Sequence, residues 1–538
     1  MRGTLSVLRS VTAASLFVSP AIAQTQTAHQ HAIPRLGTVE FRVACNADAQ
    51  TEFNTAMALY HSFAWPQAVA AFAGVARTDP ACGMAHWGRA MSILENPFGW
   101  PAGLTPQRLD SVVAALDAAQ AAGLTTKREQ DYVAAVGVFA RGHATKPYPE
   151  RINAFDAAMA SLMASYRDDT EAKILSALIT SANFVPTDKS YTNQLKAAAI
   201  LEPLFKEYPN HPGVAHYLIH SYDYPPIAEK GLPAAKAYAQ IAPDAPHALH
   251  MPSHIFTRVG YWKDSIAANR ESARVSTDSV FDGHHATDYM VYAHLQLAQD
   301  AAARQAMAAS QSRPAVDNFG AAYAYAAMPA RLLLEAGDWS GAAALSLDPK
   351  KDTYPWQKYP QAEAVNALAR GIGTARSGNA AAAREEQARL VALRDAARAA
   401  QLTYWAGQID IQAAIVGALA LCADGKSDAC IAELTAAAAR EDATEKHVVT
   451  PGPLLPAREL LAETLLAANK PAESLAQYES VMKKEPNRYR AIAGAMAAAR
   501  AAGDDKRARA LAAELVKLGS EADTPRDSLR QAKELGAG

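Results

Sequence analysis

Apolar residues in this chain recur at intervals of three and four, and few stretches alternate strictly. They come in alanine- and leucine-rich blocks of roughly 10–15 residues that stop at Gly, Pro or Asp-Pro. The pattern predicts helix after helix joined by short turns: an all-α chain with no sheet of consequence. At 538 residues the chain is too long for one compact core, so several domains or an extended array are expected.

The array reading is strongest near the C-terminus. Leu461, Ala462, Leu465, Ser474, Tyr478, Val481 and Pro486 fall where a 34-residue helix–turn–helix repeat places its packing residues. Shifted by 34, small residues recur at Ala495, Ala499, Ala508 and Ala512. Tyr60, Ala68, Phe72 and Asp79-Pro80 follow the same order earlier in the chain. Gly260-Tyr261-Trp262, Gly337-Asp338-Trp339 and Ser377-Gly378-Asn379 look like turns between paired helices. These residues resemble the tetratricopeptide repeat family. The resemblance implies an α-solenoid in which each hairpin buries its face on its neighbours and the array leaves a concave groove.

The first residues change the expected location. Arg2 and Arg9 precede and flank the start of an apolar stretch from Val11 to Val18, and Ala21-Ile22-Ala23 is a small-x-small site. This is the pattern of an export signal cleaved before Gln24, which predicts a periplasmic or secreted mature chain. The run is shorter than the ~20 residues a spanning helix needs, and no transmembrane segment is expected in the mature chain. With 52 basic and 54 acidic residues, nothing points to nucleic acid or an anionic membrane. The expected organisation is a signal peptide (1–23), an N-terminal extension (24–45) and an N-terminal array carrying most histidines (46–300). Central repeats with a proline-rich connection (301–455) and C-terminal repeats (456–538) follow.

Four cysteines allow three pairings. The local ones, Cys45 with Cys82 and Cys422 with Cys430, are the most economical, and an oxidising compartment favours both. Four thiolates on zinc is the alternative, but no close Cys pair supports it.

The candidate chemistry lies in histidines. His216 and His220 are four apart, as are His250 and His254, and the two pairs are separated by 34 residues. Residues four apart share a helix face, and one repeat length places the pairs on stacked helices. Together the four predict a site for a divalent transition metal, zinc or copper ahead of iron. By the tetratricopeptide resemblance, His247, His250 and His254 occupy positions of the first helix that line the groove. In the next copy the phase is open: either His284 with Asp288, or His285 with Asp288 and Tyr292. Arg258 and Arg331 fall near groove positions of their repeats and are candidates to pair with a ligand carboxylate. Pro252, inside the helix, is expected to kink it. Asp223, Asp288, Tyr217 and Tyr292 are candidates for further ligands or for support around an ion. His61 and His86 are expected to pack.

Residues 441–456 form an irregular connection rich in proline, read either as a stiff linker or as a lid over the groove. His447 and Lys446 reach the groove only if it folds inward. No Gly-rich phosphate loop, Gly-x-Ser-x-Gly elbow, His-Glu-x-x-His or heme-attachment motif is present. Two function classes follow: a metal-dependent protein with an enzyme among the options, or a non-catalytic scaffold whose groove takes a protein segment or small ligand. His247–His254 and the 444–453 segment also resemble exported bacterial repeat proteins of similar length, a likeness that carries no activity with it.

Overall fold

The computed structural model describes Met1, residues 34–277 and residues 280–537. The expected export signal and the start of the extension after it lie outside the described residues. Every regular element among the described residues is helical, and none is a strand. Arg35–Gly538 forms one compact unit. Helices pack in chain order as hairpins, from Ala47–His61 on Trp65–Thr78 to Tyr489–Ala501 on Asp505–Leu518. Each hairpin packs on the next, which is the expected α-solenoid.

Local chemistry sets where helices begin and how closely they meet. Asn46, Thr105, Asp169 and Asn318 accept from backbone N–H groups that have no partner within the first turn. Thr126 and Glu129 cap each other's backbone reciprocally. A Cβ on Gly494 would lie 2.1 Å from the Tyr478 ring, so the smallest residue is what lets these two helices touch.

Both local disulfides form. Cys45 and Cys82 have Cα atoms 5.0 Å apart, and Cys422 and Cys430 5.3 Å. The first joins the entry of the first helix to the start of the third; the second staples Thr403–Ala423 to Ser427–Asp442. By length and composition Thr403–Ala423 is apolar enough to cross a membrane. Half of its apolar stretch is buried in the protein, and its Asp410 pairs with Arg394 and Arg440. It serves here as a core helix of the array.

Two features replace the open groove. The array curls so that its C-terminal hairpins meet its middle. Trp262 donates its indole N–H to the Asn487 carbonyl at 2.8 Å, and the Tyr489 backbone N–H donates to Gln296 at 3.0 Å. Gly260, at φ +71°, sits in that contact, where a Cβ would come within 2.3 Å of the Pro486 carbonyl oxygen. The second feature is the 441–456 connection, which folds inward as a strap. Arg331 donates to Thr450 Oγ1 at 2.9 Å and to the Gly452 carbonyl at 3.1 Å. The Tyr289 hydroxyl lies 3.0 Å from both the Val448 and Thr450 carbonyls. Glu445 takes Lys189 at 2.7 Å and the Tyr191 hydroxyl at 2.8 Å. The helix Val280–Gln296, covered from both sides, is buried from Gly283 to its end.

Candidate metal centre

Three successive inner helices carry the site. Pro212–Tyr222 presents His216 and His220 one turn apart. The next helix is divided at Met251 into Pro246–His250 and Pro252–Arg258, and Met251 keeps helical angles (φ −54°, ψ −36°). The proline thus interrupts the helix without ending its path. Val280–Gln296 adds His285.

The six imidazoles gather as two triads. His216, His220 and His247 each bring a ring nitrogen within 4.8 Å of the other two, and so do His250, His254 and His285. The four histidines expected to share one ion are thus divided between neighbouring sites. His247 and His285, expected only as groove residues, complete them. Rings within a triad are spaced by 4.5–5.0 Å where they touch. Across triads, His220 and His254 are 6.1 Å apart, and His247 and His250 6.2 Å.

Hydrogen bonds behind the rings fix their tautomers. His216 Nδ1 donates to the His61 carbonyl at 2.6 Å. His254 Nδ1 donates to Asp223 Oδ2 at 2.8 Å. His250 Nδ1 donates to Asn269 Oδ1 at 2.6 Å, and the amide is oriented because its Nδ2 donates to the Ser265 carbonyl at 2.8 Å. A carbonyl or carboxylate only accepts, so in all three rings Nδ1 carries the proton and Nε2 offers a lone pair. Those lone pairs face inward. His250 Nε2 and His254 Nε2 lie 3.0 Å apart, acceptor against acceptor, whereas His247, whose tautomer no partner fixes, has its Nε2 3.2 Å from His216 Nε2 and can donate to it. Two acceptors at that range repel unless something electrophilic lies between them. Nitrogens held ~2.0–2.1 Å from a tetrahedral ion sit about 3.3 Å from each other. His220 Nε2 and His285 Nδ1 are buried without a protein partner.

The electrostatics keep these rings neutral. Burial drives His216, His220, His247, His250 and His285 well below the usual histidine range, and neighbouring imidazoles push the same way. His254 is lowered by burial against the pull of Asp223. Burial alone would raise Asp223, but Lys446, Arg258 and His254 outweigh it and hold the carboxylate well below its ordinary value. Lys446, on the strap, is brought down to about 8 by burial, opposed by Asp223. His447 is brought down to about 3 by burial and by Lys446, and packs on Trp405 with ring centres 4.9 Å apart. The strap thus reaches the centre through Lys446, not through His447.

Aromatic rings enclose the first triad. Phe63 lies 4.3, 5.8 and 5.2 Å from His216, His220 and His247, and Phe98 stacks on His220 at 3.8 Å. Tyr289 lies 4.8 and 5.0 Å from His250 and His254.

The remaining candidates go elsewhere. His284 faces away from the centre and bonds Ser310 Oγ at 2.7 Å and the Pro314 carbonyl at 3.2 Å. Asp288 pairs with Arg331 at 2.9 Å, Arg331 secures the strap, and Tyr292 meets Glu485 at 3.2 Å in the contact with the C-terminal hairpins. Arg258 bonds Asp223 at 2.8 Å rather than presenting a free cation. His61 is more than packing: its ring bridges Tyr217 and Glu171, and Glu171 also takes His211, forming a third buried cluster behind the first triad. Phe63, Phe98, Asn269, Glu171 and His211 were missed. Asn269 had a signal, since Ser265, Asn269 and Ser272 form a polar stripe on the inner face of Trp262–Val275.

No family model and no curated protein sequence matches the chain. Solved structures align along most of its length at low identity. The crystal structure of the P58(IPK) TPR domain covers 86% of this chain and 99% of its own, at 10% identity and a TM-score of 0.22. Yeast Tom70 covers 91% and 89% at 12% identity and 0.30. Naa15/Naa10 bound to HypK-THB covers 91% and 79% at 12% identity and 0.23. At these scores the likeness adds nothing to what the helix pairing itself establishes. The fold and site define a closed helical-hairpin solenoid resembling tetratricopeptide proteins, with two histidine triads on its inner wall.

Proposed function

We propose that this is an exported, metal-dependent repeat protein whose transition metal is held by His216, His220 and His247 and by His250, His254 and His285. One observation supports the reading above others: Nε2 of His250 and Nε2 of His254 face each other at 3.0 Å while both Nδ1 protons are committed to acceptors. Hydrogen-bonded carbonyl and carboxylate partners of this kind orient metal-ligating imidazoles and raise their basicity. Bound metal would act as a Lewis acid or redox centre in a water-poor, aromatic-walled site. The test is elemental analysis of the full chain purified without chelator, beside His250→Ala and His86→Ala. Wild type and His86→Ala should retain a transition metal and His250→Ala should lose most of it. Equal, negligible metal in all three would remove the reading.

A second reading is favoured by the strap. An extended segment already lies along the inner wall, held largely through its backbone carbonyls by Arg331, Tyr289 and Tyr404. A non-catalytic scaffold would hold a partner's protein segment in the same way. Capture of a peptide with the sequence of residues 444–453 by a chain lacking its own strap would support it.

A further inference from the structure

Resting on the metal reading above, the geometry points to a single centre for two copper ions, three imidazoles each, whose small-molecule ligand is dioxygen. The nuclearity follows from the spacing. Ring separations across the triads, 6.1 and 6.2 Å, exceed the 4.5–5.0 Å within them by less than 2 Å. Rings this closely set leave ions in the two triads able to approach the roughly 3.5–4 Å at which paired metals share a bound oxygen ligand.

The choice of copper follows from charge and coordination number. All six ligand groups are neutral imidazoles, and no carboxylate is among them. Asp223 reaches His254 from behind and is already answered by Arg258 and Lys446, so these three groups sum to one positive, and Glu171 behind the first triad is taken up by His61 and His211. Two divalent ions would add four further positive charges to a buried site with no anionic ligand. Two Cu(I) ions add half as many, and burial of uncompensated charge is what the fold must avoid. Zinc also seeks a fourth ligand, and the carboxylate-rich sets that suit iron and manganese pairs are missing. Imidazole nitrogen suits copper, and three donors suffice for Cu(I).

Dioxygen fits the walls. The first triad is covered by the faces of Phe63 and Phe98, and the second by Tyr289, whose hydroxyl is occupied by the strap carbonyls. Such walls admit a small apolar molecule and bring no hydrogen-bond donor of their own for an anion or a sugar. In the step proposed, each Cu(I) gives one electron and dioxygen accepts two. The O–O bond is reduced to the peroxide level while both ions become Cu(II), and no proton moves.

The test is anaerobic titration of the full chain with Cu(I) buffered by a competing chelator, followed by oxygen. The expected result is saturation at two ions per chain and uptake of one dioxygen per copper pair. A peroxide-to-Cu(II) charge-transfer band should appear with no electron-paramagnetic-resonance signal, because the two spins couple. His247→Ala and His285→Ala should each bind one ion and give an isolated Cu(II) signal, while His86→Ala keeps two. If an alanine variant fails to fold, the wild-type stoichiometry and spin signal decide alone. One copper per chain, two ions with independent Cu(II) signals, or zinc retained where copper is refused would each overturn the inference and leave the metal reading standing. Retention of no transition metal would overturn both.

Discussion

His254 Nδ1 meets Asp223 Oδ2 at 2.8 Å, and the same carboxylate also takes Arg258 at 2.8 Å and Lys446 at 3.3 Å. One buried anion thus orients a ligand ring, anchors an arginine one turn further along that ring's own helix, and ties in the strap. Asp223→Asn keeps the shape but removes the charge. Loss of such an orienting group costs about 10–100-fold in metal affinity. It also leaves two buried cations unanswered, and breaking a buried pair from one side costs about 3–5 kcal/mol. Chelator competition and urea unfolding of the variant should register both losses. Unchanged affinity would mean that the carboxylate serves the strap alone.

Arg331 is the strap's main fixing point, bonded to Asp288 below it and to Thr450, Gly452 and Pro453 above. Arg331→Met should free residues 447–453 and leave Asp288, whose pKa burial already raises against the opposing pull of Arg331, to take up a proton. Hydrogen exchange at Val449 and Gly452 should quicken at least tenfold, and a protease should cut the strap in the variant before it cuts wild type. The helical signal in the far ultraviolet should not change, since the strap contains no helix between Asp442 and Ala457. Equal protection in both proteins would show that Lys446 and Glu445 hold the strap without Arg331.

The fold was legible because each hairpin is written locally: the apolar period, the small residues and the turn glycines all lie within one repeat. The site was legible only as far as that local code reaches. His216 and His250 are one repeat apart, yet His216 meets His247, 31 residues away, so the contact between these helices does not follow the repeat length. The repeat leaves the phase open between His284 and His285, and the helix Val280–Gln296 selects His285 by turning His284 toward Ser310. Asn269 acts from the second helix of its hairpin, and Phe63 comes from the first hairpin at φ 55°. Neither position follows from a 34-residue spacing. The strap was open between linker and lid because its fate depends on Arg331, Tyr289 and Lys189, whose separations in sequence are too long for any local pattern to encode.

The two disulfides close loops of very different length, with sequence separations of 37 and 8. Loop-closure entropy assigns about 4 kcal/mol to the first and about 2.5 kcal/mol to the second. Cys45→Ser with Cys82→Ser should therefore lower the unfolding midpoint more than Cys422→Ser with Cys430→Ser. Denaturant unfolding of both double variants checks the order, and a larger loss from the short loop would show that native contacts, rather than chain entropy, dominate.

Acid should unfold the metal-free protein in two stages, and the sign of each follows from which state binds protons. The triad imidazoles are held below their ordinary value, chiefly by burial, whereas in the unfolded chain they titrate near 6.5. Below about pH 6.5 the unfolded chain takes up protons that the folded chain refuses, so stability falls as pH drops, by as much as about 1.4 kcal/mol per ring per pH unit. Glu171 acts in the second stage. Burial would raise it, but His61 and His211 outweigh that and depress it, so its contribution is present above the unfolded value near 4.3 and is lost as pH falls below it. The urea midpoint should fall only slightly from pH 8 to 7, where Lys446 takes up its proton, decline steeply from about 6.5, and decline again below about 4.3. Rings that remain neutral in the fold also keep their lone pairs, so metal once bound should stay bound at pH 6, where free histidine is already mostly protonated. A midpoint that stays flat from pH 8 to 5 would mean that the triads take up protons as freely folded as unfolded, and buried neutral imidazoles could not then be the basis of the site.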